Sequence, residues 1–281
     1  MNLFRKLFDF FLFSSLYISI CALVMIHQTD HLLIDAAPSY DLSAFVFFST
    51  MCSYNFHWWL TPYSTQYSSR IQWANEHKGW HLILYLVGLL GSAFFFYMLR
   101  EHWLALSFAA FITFLYSAPK LPQTIFKELK KVAIGKTLYL AIVWTYVTTI
   151  LPLIVADASI DGKAILFIIS RFGLIYSICI LFDYRDREDD KKNAIRSMIT
   201  YFNEVGINRI FWLSLAISAL ATITLHFRSF SWPIAFCLMT PILLTAALYS
   251  YSKKNFSDHF YYFVLDGLMM LSGLIMMIFG I

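Results

Sequence analysis

Long apolar runs separated by short polar segments set the pattern of this chain. A helix needs about 20 apolar residues to cross a bilayer, with a range of about 17 to 25. By that measure nine spans follow, at 8–26, 41–60, 80–98, 103–118, 137–156, 164–182, 210–226, 231–250 and 260–280. Little more than Arg100, Glu101 and His102 separates the third from the fourth, which predicts a tight hairpin. The pattern therefore predicts an all-α, polytopic membrane protein folded as a single nine-helix domain over 1–281. The long polar segments are 61–79, 119–136 and 183–209, and no soluble domain, low-complexity tract or Pro/Gly/Ser-rich linker interrupts the series.

Composition agrees with this reading. Of the 281 residues 59% are hydrophobic and 14% charged, against about 25% charged in a soluble domain. Seventeen of the 21 Lys and Arg fall on the segments that are inner if the N-terminus is cytoplasmic; three (Arg100, Lys163, Arg228) fall on outer segments and Arg171 lies within a span. Basic residues collect on the cytoplasmic side of short loops, so the charge places the N-terminus and all three long polar segments in the cytosol. Arg5 and Lys6 precede the first apolar run, but no small-residue cleavage site follows, so it reads as a span rather than a secretory signal. Cys21, Cys52, Cys179 and Cys237 lie in apolar runs without CxxC spacing and read as buried free thiols. Nothing points to nucleic acid as a partner.

The candidate chemistry is concentrated in LFDYRDREDDKKNAIRSMITY, from Leu181 to Tyr201. If the run ending at Phe182 continues as a helix into the cytosol, Asp183, Asp186 and Asp190 share one face at spacings of three and four residues. Three hard oxygen donors on one face suit a divalent cation such as Mg²⁺. A diphosphate can bridge that ion while nearby Lys and Arg meet its remaining oxygens. The alternative for such a mixed-charge run is a solvated helix face.

These residues resemble the second aspartate-rich motif of the UbiA superfamily of intramembrane prenyltransferases. The motif has the form DxxDxxxD, a basic pair, a small residue, Ile-Arg and Thr or Ser. Asp183, Asp186 and Asp190 match its acidic positions, Lys191 and Lys192 its basic pair, and Arg196 its arginine. Tyr116-Ser117-Ala118-Pro119-Lys120 is similar to the family's YxxxK motif, whose lysine faces the prenyl diphosphate. The first family motif, NxxxDxxxD, keeps Asn55 but has Trp59 and Tyr63 at its aspartate positions. The resemblance implies Mg²⁺ on Asp183, Asp186 and Asp190. It implies anion contacts from Lys120, Tyr116, Arg187, Lys191, Arg196 and Asn55, and transfer of a prenyl group from its diphosphate to a lipophilic acceptor, which an aromatic compound would satisfy. It also implies that the nine helices surround a central cavity and that half of the family's metal clamp is missing. The setting expected is a bacterial plasma membrane with the active face cytoplasmic.

Several residues carry two readings. The lysines at 120, 127, 130, 131 and 136 are either anion contacts or products of the positive-inside bias, and Arg70 and Lys78 are weaker candidates of the same kind. Asn55 and His57 sit among interfacial aromatics, with His57 a possible substitute for a lost aspartate. Arg171 and Asp266 lie within spans, where charges usually face the bundle interior in pairs, so a structural ion pair is expected, with a place on a cavity wall as the alternative. The 28 Phe, 17 Tyr and 8 Trp either line a chamber for an isoprenoid tail or face lipid. Three functions remain open: the enzyme, a catalytically degenerate relative that binds isoprenoid or lipid without turnover, and a transporter of a lipophilic anion.

Overall fold

The computed structural model describes residues 3–35, 37–61, 63, 68–118, 135–192 and 198–281, with side chains at 188–192, 199 and 200 outside the description. The described residues are all-helical. In chain order the helices are α1 (Leu3–Phe13), α2 (Leu16–Leu33), α3 (Tyr40–Leu60), α4 (Ser69–Glu76), α5 (Lys78–Met98), α6 (Trp103–Ser117) and α7 (Lys136–Val155). They continue with α8 (Gly162–Lys192), α9 (Met198–Tyr201), α10 (Glu204–Arg228), α11 (Trp232–Ser252) and α12 (Phe260–Phe279).

Among the described residues seven of these, α2, α5, α7, α8, α10, α11 and α12, are long and apolar enough to cross a membrane. The two other expected spans are helices that fall short of that standard. Helix α6 has only 15 residues, and α3 carries Asp41, Ser49, Thr50, Ser53, Asn55 and His57 among its aromatics.

The expected first span at 8–26 is divided. Helix α1, LFRKLFDFFLF, is amphipathic, with Leu3, Phe4 and Leu7 exposed and Leu12 and Phe13 buried. The chain then turns at Ser15, whose φ of 69° is a left-handed conformation that non-glycine residues seldom adopt. Arg70 from α4 holds that corner, donating to the Phe13 carbonyl and, at 3.4 Å, to the Ser15 hydroxyl. The apolar length restarts in α2 and runs to Leu33.

The helices close into a ring. α2 packs on α3 and α12, α12 on α11, α11 on α10, α10 on α8, α8 on α7 and α7 on α6, while α3 packs closely on α5 and more loosely on α6. Close approach of α3 and α5 depends on glycine. A Cβ at Gly88 would lie 2.6 Å from the Cys52 nitrogen and 2.8 Å from the Phe48 carbonyl oxygen. Gly88→Leu is expected to push these helices apart, since overpacking of this kind typically costs about 1–3 kcal/mol. Gly79→Leu, where a Cβ meets nothing within 4 Å, is the control. Thermal unfolding of the two variants in detergent checks the difference.

Two π-helical turns interrupt the ring helices, at Tyr146–Ile150 in α7 and Phe260–Leu265 in α12. Pro152 has no N–H to give the Thr148 carbonyl four residues earlier, and a buried carbonyl needs another donor. Thr29 Oγ1 and Arg171 Nη1 both donate to it, each at 2.7 Å. Arg171 also donates to Thr29 Oγ1 at 2.6 Å, Thr149 Oγ1 at 3.0 Å and Gln28 Oε1 at 2.8 Å. Its guanidinium therefore ties α8 to α2 and α7 through neutral acceptors. Asp30 on α2, rather than the expected Asp266, is the carboxylate whose charge acts on it. At the second π-turn the Tyr17 hydroxyl takes the Phe263 carbonyl at 2.8 Å.

Candidate functional site

The ring encloses a chamber of about 690 Å³, bounded by α3, α5, α6, α7, α8 and α12. Its volume falls within the range of about 300–1,000 Å³ usual for small-molecule sites. One end is charged. There α7 begins with Lys136 and Thr137, while α8 brings Asp183, Arg185 and Asp186. The other end is apolar, walled by Phe45, Val46, Leu89, Phe96, Ala109 and Val147. His57 and Val46 both line the chamber from α3, and 11 residues of helix between them correspond to about 16 Å of axial rise. An amphiphile with a charged head and a long apolar tail matches that gradient.

The acidic face follows from helical period. Helix α8 runs unbroken from the apolar stretch to Lys192, so Asp183 and Asp186, three residues apart, reach the same wall. Asp183 is buried and accepts a hydrogen bond from the Thr137 hydroxyl, which fixes it across the α7–α8 contact. Arg185 Nε donates to Asp186 Oδ1 at 2.8 Å. The Arg185 guanidinium also lies over the rings of Phe182, Tyr261 and Tyr262 at 4.8–5.2 Å, and its Nη1 is 3.9 Å from Asp258 Oδ1. Lys136 sits over the Tyr116 ring, 6.0 Å from the centroid. Tyr116 in turn stacks on His57, whose Nδ1 is 3.3 Å from Ser117 Oγ.

Asp183 and Asp186 are hard oxygen donors at the charged end, and one or two carboxylates together with substrate phosphates are the usual protein contribution to a Mg²⁺ site. The residues present fit that ion. Among the described residues no group of three His, Cys, Asp or Glu has the geometry to hold a metal by itself.

The other residues singled out by sequence are scattered. Tyr116 lines the chamber, whereas Arg187 is half-buried outside its lining. Asp190 and Lys191 lie on the last turn of α8 with side chains outside the description, and Lys120 and Arg196 lie outside the described residues. Asn55 is fully buried; its amide donates to the carbonyls of Ser14 at 2.9 Å and Met51 at 2.8 Å, and its Oδ1 lies 2.7 Å from His81 Nδ1. The structure thus places Asn55 in a helix-to-helix tie away from the chamber lining. Trp59 and Tyr63 are exposed. At that exit Lys78 Nζ caps α3, donating to the carbonyls of Trp58 at 2.8 Å and Trp59 at 3.0 Å and also to that of Thr61.

Lys136 and Asp266, each of which the sequence left between two readings, line the chamber, and so does Arg185, which sequence reasoning had not assigned to the site. Lys136 heads a span and Arg185 lies between two motif aspartates, and those positions were the available signals. Asp266 follows the π-turn of α12 and lines the chamber together with Tyr262. Behind that wall Arg70 is 2% exposed, with Trp58 4.4 Å from its guanidinium. Burial pushes its basicity down to about 10, opposed by Tyr262 and Asp258, so it remains a cation at neutral pH.

No family model, curated protein or solved structure matches this chain.

Proposed function

We propose that this is a UbiA-like prenyltransferase, with nine spans and a cytoplasmic N-terminus, that moves an isoprenoid group from a prenyl diphosphate to a lipophilic acceptor. The observation that carries this reading is a chamber with a charged end and a long aromatic and aliphatic interior. In this reading Lys136 and Arg185 hold the diphosphate oxygens, with Asp183 and Asp186, joined by Asp190 from the same helix, as the ligands for Mg²⁺. The ion, when bound, supplies charge neutralisation on the leaving group. The protein's own contribution is positional and electrostatic. Tyr54, Tyr116, Trp144 and Phe182 offer π faces to an allylic cation, and the apolar interior keeps water from it. The charged mouth faces the cytoplasm of a bacterial plasma membrane.

A second reading, binding without turnover, is favoured by the exit of α3. Trp59 and Tyr63 stand where acidic residues complete the family's clamp, and both are exposed. Incubating purified protein with radiolabelled geranyl diphosphate and Mg²⁺ separates the two. Diphosphate release that depends on Mg²⁺ is expected; retention of intact label would favour the second reading.

A further inference from the structure

Asp266 has a position that binding at the mouth does not use. It borders the main chamber and also a separate cavity of about 20 Å³, lined on its far side by Ser15, Tyr17 and Arg70. Tyr54, Trp58 and Tyr262 complete the shared wall. A space of about 10–15 Å³ on this measure holds one water, provided that polar partners line it. They do here: Arg70, 2% exposed, has its Nε without a hydrogen-bond partner among the described residues. On α12 Asp266 lies one turn after Tyr262, whose ring is 4.8 Å from the Arg185 guanidinium, and both line the chamber. A prenyl diphosphate held by Lys136 and Arg185 would thus place its first carbons beside Asp266.

We propose that Asp266 is the catalytic base of the transfer, an inference that rests on the prenyltransferase reading. When the C–O bond of the prenyl diphosphate breaks, the electron pair leaves with the diphosphate. The acceptor's nucleophilic atom then bonds to the allylic carbon, and the proton it releases passes to a carboxylate oxygen of Asp266. A water in the cavity against Arg70 would give that carboxylate a polar contact that holds it in place. A general base of this kind typically contributes about 10²–10⁴-fold.

Native membranes containing the protein, which supply their own acceptors, are incubated with radiolabelled geranyl diphosphate and Mg²⁺. Labelled lipid product and bound intact substrate are measured for the wild type, Asp266→Asn and Asp266→Glu. The expected result is product formation reduced at least about 100-fold in Asp266→Asn, substrate binding within about twofold of wild type, and partial recovery in Asp266→Glu. Product at the wild-type level in Asp266→Asn overturns the assignment. So does a parallel loss of binding and product in both variants, which marks a structural role. Wild-type membranes that form no labelled product overturn the prenyltransferase reading itself, and this inference with it.

Discussion

Exchanging Asp183 for asparagine is expected to weaken Mg²⁺-dependent binding of a prenyl diphosphate at least about 100-fold, or roughly 2.7 kcal/mol. The carboxylate is buried at the chamber mouth and held by the Thr137 hydroxyl, so its negative charge has a fixed place beside Lys136 and Asp186. Asparagine keeps the shape and the Thr137 contact but removes the charge that a hard cation requires. Asp186→Asn should weaken binding in the same direction. It also removes the negative charge that Arg185 meets at 2.8 Å, and removing one charge of a close ion pair leaves the other partly uncompensated. Thr137→Val, which alters only the support of Asp183, should cost about tenfold, the lower end of what such outer contacts contribute at metal sites. Asp35→Asn, exposed in the α2–α3 connection, is the control. Equilibrium binding with and without Mg²⁺ measures all four, and equal affinities across them would remove the acidic wall from the site.

The second large effect concerns stability. Arg171→Met is expected to destabilise the protein by about 3–5 kcal/mol, since several buried acceptors lose their donor at about 1–3 kcal/mol each. The Arg171 Nη atoms donate four hydrogen bonds of 2.6–3.0 Å, to Gln28, Thr29, Thr148 and Thr149. Gln28 continues the network to Ser272 on α12 at 2.9 Å. Methionine can fill the volume but cannot serve the acceptors, and unsatisfied polar groups within a bilayer are expensive. Pro152→Ala restores the N–H that Thr148 lacks. In that background the loss from Arg171→Met should shrink. Denaturation in mixed micelles reads both; an unchanged midpoint for Arg171→Met would show the network to be incidental.

The helices were legible because crossing a bilayer demands a minimum apolar length, and run length can be read directly from sequence. The division between α1 and α2 was not. Ser14 and Ser15 are small residues that membrane helices commonly tolerate, and Arg70, distant in sequence, fixes the turn between them. The acidic wall was legible for the opposite reason. Asp183 and Asp186 lie on one continuous helix, where spacing determines direction. Lys136 and Asp266 reach the chamber from other helices, and in a chain apolar on every face, periodicity does not separate cavity from lipid. Arg171 misled because opposite charge was the partner sought. The acceptor it serves is a backbone carbonyl released by Pro152, a consequence of main-chain geometry that leaves no mark on charge patterning. Asn55 stood at the expected motif position, but α3 turns it toward Ser14 and His81.

The central claim, one elongated chamber that takes an anionic head at its mouth and a hydrocarbon tail inside, is tested most directly by a chain-length series. Affinities of the purified protein for inorganic diphosphate and for dimethylallyl, geranyl and farnesyl diphosphates are measured in the presence of Mg²⁺. Each buried CH₂ contributes about 0.8 kcal/mol, so affinity should rise at least about tenfold with each added isoprene unit until the apolar end is filled. Inorganic diphosphate binding as tightly as farnesyl diphosphate, or no diphosphate binding at all, would contradict it.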